Sequence, residues 1–424
     1  MTLRNQYNYI NKLLVLFLLF LLSAGALNYL IDPYALFDSV RLSGFSDLKP
    51  AAGGHVRMAK PYQVRNYSPK GIVAGNSRPE MGIDPRHICW PDFARPVYNL
   101  GLPGAGVHMQ ARTLQHALFE GDVKLILWGL DFADFLSASP ERAGKYPWPV
   151  SPRQYENRLI IRANGSGNPV YPFIKLEDYL TVIFSLDTAA DSLKTITQQS
   201  NRNVSTRLRN GFNPANDYWP IMSTEGQFVL FEQKNREIDE RFSKSGLTVF
   251  PYPARQSEEF ASVAHLLKYA NSNRVKVILF INSYHADYLS TIYRHNLWPQ
   301  FEAWKYRLLE IADENQVELW DFSGLDEFNS EPAPAIGDKS ARLKWFWEPA
   351  HYKKEVGDKM LEKIFGQWCR SDASPQIGLK LSSENIYRYL ENEKQKIEAH
   401  IVEGHNTIVG ATPHVSRQAL QATD

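Results

Sequence analysis

Apolar positions along the chain follow two rhythms. Short, nearly unbroken apolar runs recur at 71–75 (GIVAG), 96–106 (PVYNLGLPGAG), 123–130 (VKLILWGL), 275–281 (VKVILFI) and 317–323 (VELWDFS). Runs this short and continuous fit strands buried on both faces. Between them the spacing turns helical. Met109, Leu114, Ala117 and Leu118 share a face over 107–120, and Phe260, Val263, Leu266, Leu267 and Ala270 do so over 257–271. Trp304, Leu308 and Ile311 mark a helix over 298–315, with Pro299 in the first turn where proline is tolerated, and 356–369 reads as a closing helix. Strands alternating with helices predict a parallel sheet with helices on both faces. Right-handed crossovers then gather the strand carboxyl ends on one edge, where sites usually lie.

The amino terminus breaks this rhythm. Arg4 and Lys12 precede an uncharged apolar stretch at 13–31, near the ~20 residues that cross a bilayer, and Asp32-Pro33 ends it. Two readings stand. One is a retained signal anchor, with 1–12 cytoplasmic and 13–31 transmembrane. The other is a signal peptide cleaved near Ala24-Gly25-Ala26. The apolar run continues through Leu27, Leu30 and Ile31, which favours the anchor. Both make the bulk of the chain extracytoplasmic. Residues 32–69, with Pro33, Pro50, Gly53, Gly54 and Pro61, read as an irregular connector to a domain at 70–370. Within that domain 134–256 is rich in Pro, Tyr, Trp, Arg and Asn and reads as an insertion, either a lid or substrate surface or a packed peripheral subdomain. The tail, 371–424, carries an amphipathic helix with Ile386, Leu390, Ile397 and Ile401 on one stripe, packed on the body or free for a partner or membrane; from Glu403 onward it is expected to be loose.

Composition narrows the class only slightly. A chain of 424 residues suits one large domain with insertions. A net charge of +1 gives no electrostatic case for nucleic acid. Cys89 and Cys369 could form one bridge in an oxidising compartment or remain two buried thiols; thiols are favoured, since nothing in the sequence places them together.

The candidate chemistry sits at strand ends. Ser77 follows the first run in Ala74-Gly75-Asn76-Ser77-Arg78, where a tight turn enters the next element. Such a serine is either a helix cap or, with a base at hand, a nucleophile. The segment Trp347-Glu348-Pro349-Ala350-His351 supplies a histidine base, with Glu348 placed three residues before it to fix its tautomer. Without an H-E-x-x-H or a Cys/His cluster, neither metal nor cofactor is expected.

Taken in order, these segments resemble the four blocks of the SGNH (GDSL-like) hydrolases: Gly75-Asn76-Ser77, then Asn99-Leu100-Gly101 with Gly104, then Gly129-Leu130-Asp131, then Glu348 to His351. The resemblance covers about 70–133 and 272–370. It implies a three-layer, flavodoxin-like α/β/α domain, with Ser77 as nucleophile, His351 as base and Gly101, or less so Gly104, as a backbone oxyanion donor. Membrane-anchored bacterial members suggest an envelope or polysaccharide acyl ester as substrate and envelope proteins as partners. Three departures matter. Asn76 stands where the family has aspartate, and Glu348 where it has aspartate. More seriously, Asp131 stands where the family has an asparagine donor, and an ionised carboxylate would repel an oxyanion. Another donor replaces it (Asn99, Asn282 or Arg78), or Asp131 is protonated, or the site has left acyl chemistry. Asn282 and, nearby, His285 are expected to line the same cleft or to serve only as turn residues.

Overall fold

The computed structural model describes residues 3–137, 152–251, 257–369 and 375–410. It is mixed α/β, built on a mostly parallel six-stranded sheet. Strands β1 (Gly71–Ala74), β2 (Val97–Asn99), β3 (Leu125–Leu130), β4 (Lys276–Ile281), β5 (Glu318–Asp321) and β8 (Leu379–Lys380) lie in the order β2-β1-β3-β4-β5-β8. Only β8 is antiparallel, at one edge. A separate antiparallel hairpin joins β6 (Phe346–Glu348) to β7 (His351–Tyr352). The helices are α1 (Leu3–Ile31), α2 (Val56–Tyr67), α3 (Ser77–Gly82), α4 (Val107–Leu118) and α5 (Phe132–Phe135), then α6 (Pro152–Asn157), α7 (Tyr171–Phe184), α8 (Leu186–Thr197), α9 (Tyr218–Thr224) and α10 (Gln227–Phe242) between β3 and β4. α11 (Glu258–Ser272) leads into β4, and after that strand come α12 (Ala286–Arg294), α13 (Trp298–Glu314), α14 (Lys354–Ile364) and α15 (Ile386–Gly410).

Strands β1, β3 and β4 are apolar without alternation because both their faces are dry, whereas β5 alternates half-buried Glu318 and Trp320 with buried Leu319 and Asp321. Ile72, Ile126, Trp128 and Leu279 pack with Leu114 of α4, Val263 of α11 and Trp304 of α13. Val73, Leu127, Ile278 and Phe280 face the other way, onto Val356, Met360 and Leu361 of α14. The chain changes direction at β1, which pairs with β2 on one side and β3 on the other. The carboxyl ends of β1 and β3 therefore flank a topological switch point, the usual place for a ligand in an open α/β sheet.

Five features depart from the sequence reading. The closing helix is α14, starting at Lys354 and ending at Ile364. The connector is not wholly irregular: α2 runs through Pro61 and buries Lys60, Tyr62 and Val64, so tertiary burial overrides the proline's local cost. The tail helix continues past Glu403 to Gly410, and 411–424 lie outside the described residues. Cys89 and Cys369 are not free thiols. They form a disulfide across a separation of 280 residues, flanked by contacts of Trp90 with Phe365 and of Phe93 with Trp368. The amino-terminal helix begins earlier than the apolar run. Its segment Tyr7–Ile31 is long and apolar enough to cross a membrane.

Closing so long a loop restricts the unfolded chain. Cys89→Ser is expected to lower stability by about 2–5 kcal/mol, read as a lower urea midpoint, and non-reducing peptide mapping of the wild type should recover the Cys89–Cys369 pair.

Candidate active site at the sheet edge

The turn from β1 into α3 is built for close approach. Gly75 has φ +139°, and a Cβ there would meet Pro79 Cγ at 2.6 Å and the Gly129 carbonyl at 2.8 Å. Asn76 caps α3, its side-chain oxygen accepting from the Arg78 amide at 3.0 Å. Ser77 is then the first residue of α3. Every residue of 71–85 except Ser77 is buried, and so is every residue of 346–353 except His351. The two residues that keep a view of solvent meet each other: Ser77 Oγ lies 2.7 Å from His351 Nε2.

The hairpin supplies the third group. Glu348 and His351 face each other in the β6–β7 register, and Glu348 Oε1 pairs with His351 Nδ1. Its other oxygen accepts from the Ala350 amide at 2.6 Å. Burial pushes the Glu348 carboxyl up, but His351, Lys234 and the Ala350 amide outweigh it and hold it below the ordinary glutamate range. An ionised Glu348 accepts the hydrogen bond from Nδ1–H and fixes that tautomer, which leaves Nε2 free to accept from the serine hydroxyl. Beside this carboxylate lies Tyr218 of α9, whose phenol is raised by burial and by the Glu348 charge. Its ring stacks on Trp347 at 5.3 Å.

Glycines set the distance between helix and hairpin. A Cβ on Gly82, at the end of α3, would fall 1.9 Å from Tyr352 Cε2, and one on Gly357 of α14 would fall 1.8 Å from the Gly82 carbonyl. Only bare backbone lets α3, β7 and α14 close up enough to bring Ser77 and His351 together.

Asp131 does not point an uncompensated charge at Ser77. Its carboxylate pairs with Arg78 Nη1 at 2.6 Å and accepts from Asn76 Nδ2 and, at 3.3 Å, from Asn282 Nδ2. Arg78 Nε donates to the Ala350 carbonyl at 2.6 Å, and its guanidinium lies over Tyr284 and Tyr288 at 5.0 and 5.1 Å. Arg78 thereby ties the serine turn, the β3 end and the histidine hairpin together. This also occupies the proposed donors. Asn282 gives its second N–H to the Leu130 carbonyl at 3.1 Å and accepts from Tyr352 Oη at 2.9 Å. The Gly101 amide donates to Asn99 Oδ1 at 3.0 Å, and Asn99 Nδ2 donates to the Pro79 and Ile83 carbonyls at 2.8 and 2.9 Å. His285 is not joined to the pair. It caps α12, reaches the Glu331 carbonyl at 2.8 Å and packs edge-on against Phe231 and Phe346, buttressing the hairpin from behind.

Two buried groups escape the sequence reading. Glu80, three residues after Ser77 and fully buried, pairs with Lys60 Nζ and Arg207 Nε, both at 2.9 Å, and accepts from Asn213 Nδ2 at 3.2 Å. Burial raises its carboxyl, and Arg207 and Lys60 together bring it below its ordinary value. Asp134, three residues after Asp131, accepts from Asn76 Nδ2 at 3.1 Å. Burial and the Asp131 charge raise its pKa to about 6. The available signal was an acidic residue one turn beyond each site residue, in an otherwise apolar context.

No protein-family model matches the chain, and no curated protein shows significant similarity to it.

Gly82→Ala is expected to cost about 1–3 kcal/mol by overpacking, measured by urea unfolding, with Gly54→Ala, which meets open space, as the near-neutral control. For Asp134 the native pKa of about 6 exceeds the ordinary 3.8. The native state thus holds the proton more tightly, and this group's contribution to stability falls as pH rises from about 4 through 6. Asp134→Asn should raise the melting temperature at pH 8 by more than at pH 4.

Proposed function

We propose that the chain is an extracytoplasmic serine esterase or O-acyltransferase of the SGNH type, with a three-layer α/β/α core tethered by α1 as a single-pass anchor, acting on an envelope or polysaccharide acyl ester. The observation that carries this reading is the relay Ser77–His351–Glu348, assembled at strand ends from residues 274 apart, with only Ser77 and His351 half-buried in otherwise buried segments. The chemistry follows from it. His351 Nε2 takes the Ser77 proton as Oγ bonds to the ester carbonyl carbon. The imidazolium, steadied by ionised Glu348, returns that proton to the departing alkoxide oxygen as the ester C–O bond breaks. Water or a sugar hydroxyl then attacks the acyl-Ser77 ester, giving its proton to His351, and Ser77 leaves with a proton from the same ring. The disulfide supports an oxidising, extracytoplasmic compartment.

A second reading has its own support. Asp131 holds the position of the family's amide donor, and the Gly101 amide and both Asn282 N–H groups are engaged within the protein. Of the family's oxyanion donors this leaves the Ser77 amide, in the first turn of α3, and a hole so reduced fits a catalytically weak SGNH-like subunit that binds or assembles a surface polysaccharide system with envelope protein partners.

A fluorophosphonate probe separates the two. The catalytic reading expects Ser77 to be labelled, labelling to vanish in Ser77→Ala and His351→Ala, and Glu348→Gln to slow it by up to about 10⁴-fold. Folded wild-type protein that resists the probe would sink the catalytic reading and favour the assembly role.

A further inference from the structure

The insertion contains a surface that the relay does not use. Along α7, Phe173, Leu176, Leu180 and Phe184 recur at helical spacing on one face, and all four are exposed, Phe173 by 73%. Leu186 and Leu193 of α8 extend the exposed apolar area, Leu186 at 63%. Glu177 and Thr181 border the stripe. Opposite it the same helix is packed and tied down: Val182, Tyr171 and Tyr179 join Tyr34, Leu36 and Tyr62 in a small core, and Asp178 accepts from Tyr62 Oη of α2 at 2.7 Å and from Arg158 Nε and Nη2 at 2.6 and 2.7 Å. The apolar side is thus the outer side of a fixed element, and an exposed patch of this kind marks an interaction surface.

What covers it follows from its neighbour. α7 and α8 dock on the carboxyl-terminal end of α1. Asn28 Nδ2 donates to the Ile183 and Ser185 carbonyls at 2.9 and 3.0 Å, Ser192 Oγ donates to Asn28 Oδ1 at 3.0 Å, and a Cβ on Gly25 would sit 3.1 Å from Ile183 Cγ2 and 3.2 Å from Phe184 Cε1. Gly25 to Ile31 is about 9 Å of helical rise. An interfacial helix sinks its apolar side about 5–10 Å below the headgroups. The docking depth and the burial depth match, and Leu22 and Leu30 of α1 are exposed like Phe184 and Leu186, with Phe184 lying against Gly25 of α1.

We infer that α7 and α8 form a membrane foot, lying in the membrane–water interface beside α1 with their apolar face against lipid. The inference rests on α1 being the membrane span. It gives the insertion a role other than a lid. It also fixes the attitude of the candidate site: α7 holds α2 through Asp178 and Tyr62, and α2 holds α3 through Lys60 and Glu80.

Site-directed spin labelling of the full chain in phosphatidylcholine–phosphatidylglycerol vesicles tests it. The native cysteines are paired, so an introduced thiol is the sole target. Nitroxides on Leu176→Cys and Leu180→Cys should collide freely with oxygen and lose access to a water-soluble nickel chelate, like one on Leu19→Cys in α1. A label on Ile336→Cys, at an 80% exposed position, should do the reverse. Nickel access at Leu176 equal to that at Ile336, with Leu19 still shielded, overturns the foot and leaves the anchor. A label at Leu176 that is immobile and shielded from both reagents means a protein partner covers the face, and also overturns it. Nickel access at Leu19 overturns the anchor and the foot together.

Discussion

A carboxylate with no solvent around it must find its counter-charges inside the protein. Glu80 is such a group, and it stands on the six-residue helix that begins with Ser77. Its partners come from two directions. Lys60 belongs to α2, Arg207 and Asn213 to the excursion between β3 and β4, and Lys60 also reaches the Gly101 carbonyl. Losing both cations would leave the buried carboxylate uncompensated at a cost of about 3–5 kcal/mol, so these segments must stay docked on α3 while Glu80 is ionised. The helix that begins with Ser77 is therefore fixed from both sides. Glu80 binds it to α2 and the insertion, and the bare backbone of Gly82 and Gly357 lets the histidine hairpin press against it.

The chemistry of the site follows from the same economy of buried charge. Asp131 could have opposed an oxyanion, but Arg78, Asn76 and Asn282 surround it. The consequence is that those donors face inward. The hydrogen-bonded chain of Ser77, His351 and Glu348 is complete, whereas the Gly101 amide and the Asn99 and Asn282 side chains are engaged within the protein.

The legible parts of the chain were those set by local order. The central strands β1, β3 and β4 lay inside apolar runs, because a strand dry on both faces cannot alternate. Ser77, Glu348 and His351 were legible because two of them lie three residues apart and the third follows the first strand. Other features depended on distant segments. Cys89 finds Cys369 only after the sheet is assembled, and Arg78 is committed to Asp131 across 53 positions of chain. Proline and glycine counted as breakers hid α2, whose burial beside α4 overrides them. One misassignment was avoidable in principle. Asn99-Leu100-Gly101 has the spacing of an asparagine that caps the amide two residues on, which takes the Gly101 N–H from any substrate.

The disulfide has a consequence for how the chain matures. Only two cysteines occur among the 424 residues, so within one molecule there is a single pairing and no wrong one. An oxidant suffices to close it, and an isomerase has nothing to rearrange. The hazard lies elsewhere, in time. As the chain is made, Cys89 emerges 280 residues ahead of its partner, and until Cys369 follows, its unpaired thiol can react only with other molecules. Burying Cys89 early, under Trp90 beside the first strands, would shield it while it waits.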